Sequence, residues 1–78
     1  MSESRYEIEL REFGKRLRHY RRKMRFTQLD LEVHSGIDRA EISKIENGKK
    51  NIEFTTIIKL AETLDVSTYL LFQFEKNK

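Results

Sequence analysis

Apolar residues recur along the first third of the chain at steps of three and four: Leu10, Phe13, Leu17, Tyr20 and Met24. That spacing lines one stripe of a helix, predicted over roughly Ile8–Met24. Phe26 and Thr27 follow as a hydrophobic staple and an N-cap, so a second helix is predicted over about Gln28–His34. Gly36 supplies the next turn. Asp38 is then a cap, with Glu41 at capping-box spacing, for a third helix over about Arg39–Glu46 that stops at Asn47-Gly48. A polar loop, Lys49-Lys50-Asn51, leads to a fourth helix, about Phe54–Leu64, with the stripe Phe54, Ile57, Ile58, Ala61 and Leu64. Ser67 caps a last helix, Thr68 to about Phe74. The pattern predicts an all-α fold of five helices and no strand.

The most informative stretch is Thr27 to Gly48, TQLDLEVHSGIDRAEISKIENG. Its apolar positions Leu31, Ile37, Ile42 and Ile45 share one core, while Arg39, Ala40, Ser43 and Lys44 point elsewhere. Two short helices joined at Ser35-Gly36-Ile37 in this way have the layout of a helix-turn-helix whose second helix lies in the DNA major groove. Arg39 suits bidentate pairing with guanine, Ala40 a thymine methyl, and Ser43 either donation or acceptance, while Lys44 reaches a base or a phosphate. Phosphate contacts are expected from Thr27 and Gln28 at the start of the second helix, and from Asn47, Lys49 and Lys50.

Charge strengthens this picture by its distribution. The 78 residues carry a net charge of only +3. Between Arg11 and Arg25, however, eight basic residues face a single acid, Glu12. A basic half joined to a near-neutral half suits a protein that turns one face to a polyanion. The chain contains no cysteine, which excludes disulfides and thiolate metal sites. Its longest apolar run, Tyr69–Phe72, is far short of a membrane span. The acidic, polar N-terminus has no apolar signal region, so a soluble cytoplasmic protein of one domain, residues 1–78, is expected. His19 and His34 lie on different helices with no acidic cluster beside them, and no phosphate loop or nucleophile elbow is visible. No cofactor, metal site or enzymatic activity is expected.

These residues resemble the phage-repressor and Cro-like helix-turn-helix family, also called the XRE family. The matching pieces are Thr27-Gln28 with Leu31, Ser35-Gly36-Ile37, Ile42-Ser43, Ile45-Glu46, Gly48 and Ile58-Lys59-Leu60-Ala61. In length and end-helix composition the chain is similar to the small controller proteins of restriction–modification systems. The resemblance implies a compact, five-helix, lambda-repressor-like DNA-binding domain, with Gln28, Arg39, Ala40, Ser43 and Lys44 facing DNA. It also implies a structural ion pair between Arg21 and Glu46. Three positions depart from the family pattern. Glu32 stands where alanine is usual, Arg25 replaces a glycine and so is expected to sit in a left-handed conformation, and Leu29 replaces a polar residue.

The apolar end of the chain exceeds what a small core absorbs. Leu70 is expected in the core, with Tyr69, Leu71, Phe72 and Phe74 at a homodimer interface on a C-terminal helix of about 67–75. The combined expectation is a homodimeric transcriptional regulator on a pseudo-palindromic operator in double-stranded DNA. An alternative keeps the fold as an antitoxin-like module that binds a protein partner and autoregulates.

Overall fold

A computed structural model describes residues 3–73. Four α-helices follow one another, α1 (Arg5–Lys23), α2 (Gln28–Ser35), α3 (Arg39–Glu46) and α4 (Phe54–Thr63), and a short 3-10 helix, Thr68–Phe72, closes the described chain. Of the five helices expected, four are α-helices among the described residues and the last is a 3-10 helix. The expected interface residue Phe74 lies outside the described residues.

Local chemistry explains each start and stop. The first helix begins earlier than its apolar stripe. Ser4 and Glu7 form a reciprocal capping box, each side chain accepting from the other residue's backbone N–H, at 3.2 and 2.9 Å. Thr27 and Asp30 repeat the device at α2, at 3.0 and 2.8 Å. At α3 the capping box expected with Glu41 does not form; Asp38 instead accepts from the amide of Ala40 at 3.1 Å. Helices α1, α3 and α4 all end in a left-handed residue, Arg25 (φ 62°), Gly48 (φ 69°) and Asp65 (φ 57°). The next amide then bonds back across the turn, Phe26 to Arg21, Lys49 to Lys44 and Val66 to Ala61. The expectation for Arg25 is met.

One core joins all the elements: Phe13 and Leu17, Leu31, Ile37, Ile42 and Ile45, then Ile57, Leu60, Ala61, Leu64 and Leu71. Helix α1 packs on α3 and on the 3-10 helix, and α2 packs on α3 and α4. Gly14 makes the first contact possible, because a Cβ there would stand 2.5 Å from the carbonyl oxygens of Ile45 and Glu46. The stripe of α4 is rotated from its expected setting. Leu60 is buried, whereas Phe54 is 64% exposed and Ile58 lies at the surface.

The closing 3-10 helix reverses part of the expected interface. Leu71 is fully buried within its own chain and Leu70 only half-buried. A tighter helical repeat advances side chains by 120° rather than 100° per residue, which turns Leu71 inward and leaves Tyr69 and Phe72 out. The expectation that Leu71 faces a partner is corrected.

Candidate nucleic-acid interface

The two-helix unit is held to α1 by one buried carboxylate. Arg21 donates to Glu46 through Nε at 2.6 Å and through Nη2 at 3.0 Å, and both side chains are almost wholly buried. The Arg21 Nη1 group donates to the Phe26 carbonyl, tying the end of α1 into the same cluster. Gln28 Nε2 donates to Glu46 Oε1 at 3.1 Å, and Arg18 reaches the same oxygen at 3.4 Å. Burial pushes the Glu46 carboxyl up, but hydrogen bonds from Arg21 and Gln28, with the Arg21 charge and Arg18, outweigh it and hold the group below its usual value. The expected Arg21–Glu46 pair is present.

The structure gives Gln28 a role that sequence reasoning did not assign. Its side-chain amide is spent on Glu46, so it braces the start of α2 against the end of α3. Arg18 was likewise missed. It donates to the Asn47 side chain at 3.1 Å and to the Glu46 carbonyl at 3.4 Å. Its position one turn before Arg21 on the same helix face was the available signal.

Around this anchor the other expected residues fall as follows. Arg39, Ala40 and Lys44 are exposed on α3, and Ser43 is half-buried beside them. Thr27, Asn47 and Lys49 are exposed, and Lys50 is half-buried. The Thr27 amide is taken by Asp30, whose carboxyl is held below its usual value by the Thr27 backbone N–H and then its hydroxyl. Among the described residues, the amides of Gln28 and Leu29 are left without a protein acceptor at the start of α2.

The turn between α2 and α3 is built from Gly36 at φ 78° and the buried Ser35 hydroxyl, which accepts from the Ile37 amide at 3.0 Å. Glu32, the departure from the usual alanine, is half-buried. It leans to the start of α3 and accepts from the Arg39 amide at 3.1 Å. Leu29 is half exposed and Val33 one turn on is 71% exposed, so the two form an apolar pair on the surface of α2. His34 stacks on Phe26 at 4.9 Å and His19 meets Tyr20 edge-on at 4.8 Å, packing roles for both.

The sequence profile of a helix-turn-helix domain matches residues 14–76. The chain belongs to that helix-turn-helix family. Its match runs from Gly14, midway along α1, past the closing 3-10 helix, and the resemblance to XRE-like regulators stands. Two relatives from Bacillus subtilis align over 55 residues, 69% of this chain. One, an uncharacterized HTH-type transcriptional regulator named RghRB, is 51% identical; the other, the HTH-type transcriptional repressor RghR, is 44% identical. The matched segment makes up only 40% and 41% of these relatives, so the chain spans well under two thirds of their length.

Among solved structures, the restriction–modification controller protein C.AhdI from Aeromonas hydrophila is similar at a TM-score of 0.81 and 37% identity. That match covers 83% of this chain and 98% of C.AhdI. A hypothetical transcription factor, NHTF, from Neisseria reaches 0.80 at 29% identity, covering 95% of this chain and 86% of its own. An HTH_3 family regulator from Vibrio cholerae shares the fold at 0.81 and 19% identity, over 86% of this chain and 38% of that one. Among the described residues no helix is long and apolar enough to cross a membrane.

Proposed function

We propose that this chain is a sequence-specific DNA-binding transcriptional regulator that works as a homodimer on a pseudo-palindromic operator. The observation that carries the reading is the exposed row Arg39, Ala40 and Lys44 on a helix clamped at its far end by the Glu46 cluster. A rigid helix with outward donors is what base-edge recognition in the major groove requires. Arg39 and Lys44 reach bases with Ala40 and Ser43 between them, while Thr27, the Gln28 and Leu29 amides, Asn47, Lys49 and Lys50 grip phosphates. The names of the relatives, regulators and a repressor, support the same class. Regulation acts by occupancy, and half-sites lie roughly 34–36 Å apart, one turn of DNA.

Tyr69 at 67% and Phe72 at 46% exposure form the apolar ground for a dimer. The antitoxin-like alternative draws on the exposed Leu29–Val33 pair as a surface for another protein. Sedimentation of the purified chain separates the two, since a stable monomer favours the alternative.

The test of base reading is Arg39→Ala, titrated on a preferred duplex and on a scrambled one. Loss of a bidentate base contact lowers affinity for the preferred site by about 1–3 kcal/mol and leaves the scrambled duplex almost unaffected. Retained discrimination moves the reading residue elsewhere.

A further inference from the structure

Two carboxylates crown the N-terminal end of α3. Asp38 accepts from the Ala40 amide, and Glu32 reaches across from α2 to accept from the Arg39 amide, both at 3.1 Å. Glu41 adds a third acid in the first turn. A helix start attracts anions through its unpaired N–H groups and its dipole. At α3 the Arg39 and Ala40 amides are taken by the protein's own charges, whereas at α2 the Gln28 and Leu29 amides stay open. Arg39 is exposed and, among the described residues, in no ion pair. The helix tip therefore presents one free cation above an acidic collar.

We propose that Glu32 is a specificity-determining positioning residue, fixing the first turn of α3 that aims Arg39 and placing at its tip a charge that repels DNA phosphates. The inference rests on the DNA-binding reading above. Asp38 is a local cap of a kind any helix start can form. Glu32 belongs to the other helix, so its bond exists only when α2 and α3 hold their native crossing, and it joins their geometry to the charge at the tip. On an unrelated duplex, phosphate contacts supply the affinity, and a carboxylate close to them is a uniform cost. On the operator the repulsion is the same, but there the charge also strengthens the hold on the Arg39 amide that aims this side chain at its base, so losing the charge costs the right complex part of what it gains. Removing the charge strengthens the wrong complex more than the right one.

The experiment compares wild type, Glu32→Gln and Glu32→Ala by titration on a selected operator and an unrelated duplex of equal length. Amide exchange of Arg39 is followed in the free proteins. Glu32→Gln keeps an acceptor oxygen and loses the charge. The Arg39 amide stays protected, the unrelated duplex binds about fivefold more tightly, and the operator gains less than about twofold. Glu32→Ala exposes the Arg39 amide and also loses discrimination. Equal gains on both duplexes, or no gain on either, overturn the specificity role. Unchanged Arg39 protection in Glu32→Ala overturns the positioning role. A wild type without sequence preference overturns the DNA-reading assignment instead, while amide exchange still judges the Glu32 hold on α3.

Discussion

Glu46 accepts four donors from two helices: Arg21 twice, Gln28 and Arg18. Its side chain is wholly buried, so removing a partner strands a charge out of water. A carboxyl whose folded value is depressed stabilises the fold above its unfolded value, and that contribution is lost as pH falls through the folded one. Acid unfolding should thus draw on Glu46 from the ordinary carboxyl value of 4.5 downward. Glu46→Gln is expected to flatten that limb of the stability curve, measured by thermal melts between pH 7 and about pH 3, and to lower stability by about 3 kcal/mol at neutral pH. An unchanged acid limb would place the acid sensitivity in another group. The Arg21–Glu46 pair was legible because matching positions carry it in a recognised pattern. Gln28 was not, since helical spacing gives the face of a side chain and no more. Which acceptor it meets depends on how closely the ends of α2 and α3 approach.

At the scale of elements, the boundaries of α2 and α3 followed from caps in the sequence, and those of α1 were also available. Ser4 and Glu7 have capping-box spacing, but no apolar stripe runs over them to draw attention. Gly14 carried a second unread signal, a lone glycine inside a helix, which commonly marks a close packing contact. Gly14→Ala should destabilise the fold by about 2 kcal/mol, because overpacking against the Ile45 and Glu46 carbonyls outweighs the roughly 1 kcal/mol of helix propensity that alanine gains. A denaturant titration showing a more stable variant would mean that α1 shifts freely on α3. Arg25 and Asp65 both take the left-handed seat at a helix end. Only Arg25 was foreseen, through the glycine it replaces; the apolar stripe ends α4 near Leu64 but does not say which backbone conformation Asp65 takes. The last element was misjudged for a related reason. Four apolar residues in a row fit an α-helix, a 3-10 helix or a buried strand, and only packing on α1 and α4 decides which side of Thr68–Phe72 turns inward.

For the whole molecule, the question is what a small basic-faced domain gains from a second copy. The shared core is modest, and Tyr69, Phe72, Phe54 and Ile58 remain at the surface. Pairing would cover apolar area and give two linked DNA contacts. Tyr69→Glu is expected to weaken self-association at least tenfold in sedimentation equilibrium and to lower operator affinity in step, with the helical circular-dichroism signal preserved. Leu71→Glu is unsuitable for this purpose, because Leu71 lies in the core and its substitution unfolds the chain. A Tyr69→Glu protein that dimerises normally would remove the 3-10 helix from the interface. The general layout, all helical with a two-helix reading unit, was legible because caps, turn glycine and apolar spacing agree over Thr27–Gly48. The proposed pairing surface was visible only as an excess of apolar residues, without the sides they take.

The measurement that bears most directly on the central claim is selection of bound sequences from a random duplex pool by the purified protein. The account predicts enrichment of one inverted repeat with half-sites about one helical turn apart, bound with a salt slope of about −0.9 for each phosphate neutralised. Retention of DNA through salt-sensitive contacts alone, with no motif enriched, would contradict it.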